Sequence, residues 1–455
     1  MVKSKSRRKQ CGWLLLLLLI LAFTACVPAA ELQKVQPAKS AAEYVAPPVS
    51  GITTDDTLGS THAEITKQLI SIVNHNPELK AMLEKSIAQA KQINPDRRTN
   101  PAQTLDEYYE YIDWAARAMP WAILPDAGEL YPKLYEQIDQ SVAYFYFVND
   151  QPLEELEGRG LYNNSIQYLE PYRSWLIEFT AQWGNYLNTT DSWCEEYYQA
   201  ACEDERFNLG DETYESPDNW KTFNQFFARY LSSPDQRPIA AQADGSVVVS
   251  PADAQPQGVW AIDGDSNLVH SEGVNIKSGV FTSIDALLGD SKYRGAFADG
   301  TLTHTFLDVH DYHRYHFPVG GTVKEVRVIP GDDAAGGLTV WDAEKQKYLL
   351  LSGVPGWQMI ETRGCVIVET EEYGLVAILP VGMSQISSVN FEDTVQVGAQ
   401  VKKGDMMGCF LFGGSDIVML FQAGVTFTLT APQTREGAYR HINMGEEYGV
   451  LKSRE

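Results

Sequence analysis

Four of the eight histidines fall between positions 304 and 316: His304, His310, His313 and His316. Imidazole titrates near neutrality and serves as acid, base or metal ligand. The spacing His310-x-x-His313-x-x-His316 suggests a zinc site, but in a strand a three-residue step turns a side chain to the opposite face. No Cys-x-x-Cys or His-Glu-x-x-His pattern accompanies it, so no metal is expected. Further on, Phe412-Gly413-Gly414-Ser415 forms a sharp glycine turn between two apolar runs, and a serine so placed can be a nucleophile. It does not fit the Gly-x-Ser-x-Gly elbow of the α/β hydrolases. Upstream, Pro251-Ala252-Asp253 sets a carboxylate just after an apolar strand. Each of these pieces is commonplace by itself.

Two textures of sequence must hold them. From Thr61 the spacing is helical: Ile65, Leu69, Ile72 and Val73 share a face, and Leu79, Met82, Leu83 and Ile87 repeat it. Asn76-Pro77, Asn94-Pro95 and Asn100-Pro101 interrupt the run. Leu105, Tyr108, Tyr109 and Ile112, then Trp175, Phe179 and Tyr186, continue it, and such aromatic stripes are expected to be core. Near residue 237 the texture changes. Ser246–Ser250, Val366–Val368, Leu375–Leu379, Ile417–Phe421 and Val425–Leu429 are strand-like runs separated by glycine turns. The fold class expected is α+β, with a helical region at 61–225, a β-rich domain at 226–432 and a polar tail at 433–455.

In order along the chain, the pieces become specific. Thr222-Phe223-Asn224-Gln225-Phe226-Phe227-Ala228-Arg229 is followed by Arg237-Pro238-Ile239, then by Val249-Ser250-Pro251-Ala252-Asp253. Next come Asp311-Tyr312-His313-Arg314-Tyr315-His316-Phe317-Pro318-Val319, and Lys403-Gly404-Asp405-Met406-Met407-Gly408-Cys409-Phe410 leading to Gly413-Gly414-Ser415. This series resembles the phosphatidylserine decarboxylase family, whose members depend on a pyruvoyl group. The resemblance implies that the chain cuts itself between Gly414 and Ser415. Asp253 would orient His316, and His316 would deprotonate Ser415, as in a Ser-His-Asp relay. Ser415 would become a pyruvoyl cap on the shorter of two self-derived subunits, which could pair further as a dimer. The pyruvoyl carbonyl would form a Schiff base with the substrate amine, and His313 would return a proton once CO₂ has left. Two residues depart from the family pattern: Asp416 where Thr or Ser is usual, and Ala254 where Gly is common.

The family's common substrate is phosphatidylserine, converted to phosphatidylethanolamine, and this is the expected activity. A branch with an extra helical region includes decarboxylases of free aromatic amino acids such as L-tryptophan. The region 61–225 and the stretch Val381-Gly382-Met383-Ser384-Gln385-Ile386-Ser387-Ser388 are similar to that branch. A third alternative is a non-catalytic lipoprotein with the same fold.

With 44% hydrophobic and 21% charged residues the chain is globular, and its net charge of −24 leaves no surface for nucleic acid. The basic run is N-terminal: Lys3, Lys5, Arg7, Arg8 and Lys9 precede the apolar stretch Leu14–Leu21 and Phe23-Thr24-Ala25-Cys26. Residues 1–25 read as a signal peptide, with Cys26 resembling the lipidated first residue of a bacterial lipoprotein, and 26–60 as a linker. An uncleaved N-terminal anchor is the alternative. Both place the body outside the cytoplasm, tethered to a membrane. Cys194 and Cys202 could pair in such a compartment, whereas Cys365 and Cys409 read as buried small hydrophobes.

Overall fold

A computed structural model describes residues 62–118 and 138–453, apart from 160, 211, 270–273, 277–278, 332–337, 352, 354, 383–387 and 412–414. The signal peptide, Cys26 and the linker therefore lie outside the described residues, as do Gly414 and most of the Val381–Ser388 stretch. The architecture is α+β, with helices first and sheets after.

Helix α1 (Glu64–His75) and helix α2 (Pro77–Ile93) bury the apolar stripes that their spacing dictates: Ile65, Leu69 and Val73 on one, Leu79, Met82, Leu83 and Ile87 on the other. Asn76-Pro77 starts the second helix. The Asn76 side chain accepts from the Leu79 N–H, and Pro77 occupies a first-turn position that needs no donor. Helices α3 (Leu105–Ala118), α4 (Ile138–Asn149) and α5 (Tyr172–Tyr186) enclose an aromatic core. Tyr172 stacks on Trp175, and Trp175 on Phe179, with ring centroids 5.3 and 5.5 Å apart. Helix α6 (Glu195–Glu203) carries Cys194 as its N-cap and Cys202 near its end. Both thiols are free. Eight helical positions separate them by roughly 12 Å along the axis, whereas a disulfide needs Cα atoms within about 7 Å. The pairing considered above is therefore corrected. Helix α7 (Phe223–Phe227) is a single short turn capped by Thr222.

The strands are β1 (Val247–Val249), β2 (Gln255–Ala261), β3 (Val274–Ile276), β4 (Gly279–Phe281), β5 (Thr301–Leu307), β6 (Arg314–His316), β7 (Gly321–Ile329), β8 (Thr339–Asp342), β9 (Lys347–Leu350), β10 (Thr362–Glu369), β11 (Leu375–Gly382), β12 (Val389–Phe391), β13 (Gln400–Val401), β14 (Met406–Phe410), β15 (Ser415–Phe421), β16 (Val425–Leu429) and β17 (Glu447–Ser453). The largest sheet is antiparallel, in the order β13-β7-β10-β11-β15-β5-β2, and β15 lies inside it. Every residue of β15 is buried, so the sheet is covered on both faces. Side chains alternate along a strand. Ile417, Met419, Val366, Val368 and Ile378 therefore join one core, which they share with the helical region. Val418, Leu420, Ile367, Ala377 and Leu379 join a second, which Trp357 and helix α8 (Ile284–Leu288) close.

The segment after Gln433, read as a polar tail, instead returns to the fold. Strand β17 pairs with both β1 and β16 and buries Tyr448 and Leu451. Its two apolar anchors are too few for periodicity to stand out among the polar neighbours. Among the described residues no helix is long and apolar enough to cross a membrane.

Candidate active site

Ser415 is the first residue of β15, where it lies opposite Leu307, the last residue of β5, and Gly382, the last of β11. The loop that follows Leu307 carries Asp308, His310, Asp311 and His313 before the chain enters β6. That loop therefore leaves the sheet at the rung where the serine enters it. A second tie joins the same regions: the Phe410 N–H donates to the His313 carbonyl at 2.8 Å, at the end of the strand that runs into Gly413-Gly414-Ser415. Ser415 is fully buried.

The His313 ring is fixed from several directions. Nδ1 lies 2.9 Å from the Asp311 carbonyl, which can only accept, so the proton sits on Nδ1. Nε2 is then a lone pair that is buried and, among the described residues, without a hydrogen-bond partner. Phe227 from α7 stacks on the imidazole at 3.8 Å between centroids. Burial, helped by the charge of Arg229, pushes the His313 pKa down to about 3, so the ring is neutral at physiological pH.

His316 has the same tautomer. Nδ1 donates to the Gly404 carbonyl at 2.9 Å, and Nε2 accepts from the Tyr312 hydroxyl at 3.1 Å. Burial pushes its pKa down to about 4, although the Gly404 carbonyl and the charge of Asp253 act the other way. The ring is a neutral base with its lone pair on Nε2.

Because Nδ1 of His316 is held by the Gly404 carbonyl, the expected arrangement, with the Asp253 carboxylate accepting from that ring and so orienting it, is not the one found. The two are brought close, since the His316 N–H donates to the Pro251 carbonyl at 2.7 Å. The Asp253 carboxylate, however, is held by Arg237 through both oxygens, with Nε 2.9 Å from Oδ1, and by the Met444 N–H at 2.8 Å. Arg237 and Asp253 are both buried. A planar guanidinium gives a buried carboxylate two charge-assisted bonds, which a neutral imidazole cannot match. Burial opposes ionisation of Asp253, yet Arg237 and the Met444 N–H hold its pKa below the usual carboxylate value. The charge of Asp253 raises the His316 pKa, while Arg314 and Arg237 lower it. Arg237 and Tyr312 were quoted above as motif residues, but their partners depend on contacts that spacing does not reveal.

The three regularly spaced histidines do not converge. His310 faces Asp204 and Asp308, His313 the Asp311 carbonyl, and His316 Gly404 and Tyr312. His304 lies elsewhere, beside Asp416. His441 belongs with the site, because its Nε2 meets Asp311 at 2.8 Å.

The arrangement combines a buried serine at the start of a central strand, two neutral imidazoles with bare or lightly held Nε2 atoms, and a paired buried carboxylate. The sequence model of the family described as phosphatidylserine decarboxylase matches residues 223–450. Decarboxylase iboD of Amanita muscaria is 30% identical over 273 residues, covering 54% of this chain and 76% of that protein. Phosphatidylserine decarboxylase proenzyme 2 of rice (Oryza sativa) is 33% identical over 48% of this chain, which spans only about a third of that longer protein, 32%. The phosphatidylserine decarboxylase proenzyme of Fusobacterium nucleatum is 26% identical over 66% of this chain and 94% of its own length.

Proposed function

Because the chain belongs to the phosphatidylserine decarboxylase family, a family of carboxy-lyases, we propose that it is a self-processing decarboxylase that makes its own pyruvoyl group from Ser415. The observation that carries this reading is the double tie of the histidine loop to the serine: Leu307 opposite Ser415 in the sheet, and Phe410 bonded to the His313 carbonyl.

In the first stage His316 takes the proton of the Ser415 hydroxyl at Nε2. The lone pair there accepts from the Tyr312 hydroxyl and becomes available once that hydroxyl turns away. The serine oxygen attacks the Gly414 carbonyl, and the Gly414–Ser415 amide gives way to an ester. The charge of Asp253 favours the imidazolium that forms, as the acid of a Ser-His-Asp relay does. β-Elimination then frees the longer chain, ending in the Gly414 carboxylate, and leaves a dehydroalanine at 415; its imine tautomer takes up one water and releases ammonia, which gives the pyruvoyl group.

In the second stage a pyruvoyl group at position 415 supplies a sink for the electron pair that CO₂ leaves behind. The site suits such a group: Ser415 and His313 are fully buried, and among the described residues the His313 Nε2 is a buried polar atom still lacking a partner. With Nδ1 held by Asp311, His313 exchanges protons only through Nε2. It accepts one from the substrate ammonium and returns it to the substrate carbon after CO₂ departs.

Phosphatidylserine is the proposed substrate, in keeping with the relatives named for that lipid. A membrane tether at Cys26 outside the cytoplasm, proposed from the N-terminal sequence, would hold the site near lipid. A free amino acid such as L-tryptophan is the second reading. It is favoured by the helical region packed against the histidine loop, where Phe207 meets the His310 ring at 4.7 Å. The deciding assay compares CO₂ release from phosphatidylserine in detergent micelles with release from free tryptophan and free serine. Release from the lipid alone supports the first reading, release from tryptophan alone the second, and release from none of them on processed protein rejects both.

A further inference from the structure

His310 has no place in the chemistry just described, yet it is buried, with 3% of its side chain exposed. Its Nε2 lies 3.4 Å from Asp204 Oδ2, and its Nδ1 lies 3.4 Å from Asp308 Oδ1. Neither contact is a hydrogen bond, so both are ion-pair contacts, and a carboxylate at each nitrogen favours the doubly protonated, charged ring. Asp204 caps the end of α6 and is oriented by Arg206, whose Nε donates to Oδ1 at 2.8 Å. Asp308 belongs to the histidine loop itself and is largely solvent-exposed, so water screens it and Asp204 is the stronger partner. Phe207, also from the helical region, closes one side of the ring.

Arg229 extends the contact. Its Nη2 donates to the carbonyls of His310 and Asp311 at 2.8 and 3.0 Å, and its guanidinium lies 4.3 Å above the Tyr214 ring. The Asp311 carbonyl that Arg229 holds is the same one that accepts from His313 Nδ1. An unbroken chain of contacts thus runs from Asp204 through His310 and Arg229 to the imidazole of His313.

We propose that the helical region is a positioning device for His313, with Asp204 clamping His310 and, through it, fixing the loop carbonyl that sets the His313 tautomer. The inference rests on the reading of His313 as the proton-transfer group. His310, Asp204 and Asp308 are positioning residues and touch no substrate. The charged groups facing His310 are Asp204 and Arg206 from the helical region, Asp308 from its own loop and Arg229 from the end of α7. Burial opposes the charge on His310, but the two carboxylates outweigh it and raise the pKa to about 9. The clamp is therefore closed at neutral pH and opens as His310 loses its proton.

The test uses the full-length protein. Two-dimensional NMR of ¹⁵N-histidine-labelled wild type is followed from pH 6.5 to 10. The His313 Nδ1–H signature should be present below pH 8 and should broaden or shift together with the deprotonation of His310. If His313 keeps one unchanged signature while His310 titrates, the clamp is refuted, whatever the outcome for catalysis. Kinetics supply the second readout, once mass has shown that each variant is cut. Asp204→Asn should move the alkaline fall of kcat about one pH unit toward neutrality with KM unchanged, and His310→Arg, a permanent cation, should remove that fall. Wild-type profiles in both cut variants contradict the proposal. Absence of cutting in wild type would instead count against the pyruvoyl reading, and would leave the NMR result to decide on the clamp.

Discussion

Asp416 Oδ2 and His304 Nδ1 meet at 2.7 Å, both fully buried, on the face of β15 opposite Ser415. Trp260 stacks on the imidazole at 5.1 Å between centroids. The residue that departs from the family pattern is thus committed to a buried pair, one position after the proposed cleavage point. Removing one partner of such a pair leaves the other group buried without it. Asp416→Ala is expected to lower stability by about 3 kcal/mol, whereas Asp416→Asn, which keeps an acceptor, should cost about 1 kcal/mol. Denaturant unfolding of both variants checks the order, and equal losses would contradict it.

Ser415→Ala should remain a single uncut chain without activity. His313→Ala should still be cut but should lose on the order of 10²–10⁴-fold in kcat. Gel mobility and CO₂ release separate the two. An uncut His313→Ala would mean that the roles of the two histidines have been divided wrongly.

The Arg237–Asp253 pair supports both folding and self-cleavage. Arg237→Met strips a buried carboxylate of its guanidinium and should destabilise by about 3–5 kcal/mol. Asp253→Asn removes the charge that favours protonated His316, and its cutting should slow at 25 °C, as timed by electrophoresis.

Stability should peak near pH 6.5, with a different cause on each side. His313 and His316 are held below the ordinary histidine pKa, at about 3 and 4. As pH falls below 6.5 the unfolded chain takes up protons that these rings refuse, so each costs up to about 1.4 kcal/mol per pH unit until its folded value is reached. His310 is raised, as is His441 through Asp311, and both reach about 9. Their contribution is complete below 6.5 and is lost as pH rises through 9. Urea midpoints at pH 5, 6.5 and 9 should show the maximum at the middle value, and a monotonic trend would contradict the assignment.

Local spacing made the helices and the central strands legible, because Ile65 and Leu69 or Ile417 and Met419 report a buried face wherever they occur. Ordered motifs pointed to His313, His316 and Ser415 as the groups to examine. The pairings between them were not legible. Arg237 with Asp253, Asp204 with His310 and Asp416 with His304 each join elements that only tertiary packing brings together. Competition decided the first: in sequence Asp253 could serve His316, but in the fold a guanidinium reaches it from the loop before β1. Strand β17 escaped notice because its pairing with β1, not its composition, makes it a strand.

Intact mass of the purified protein tests the central claim most directly. The account predicts two chains meeting between Gly414 and Ser415, the shorter one lacking a free amino terminus and gaining mass on treatment with hydroxylamine. A single uncut polypeptide, or a short chain that begins with an ordinary serine, would contradict it.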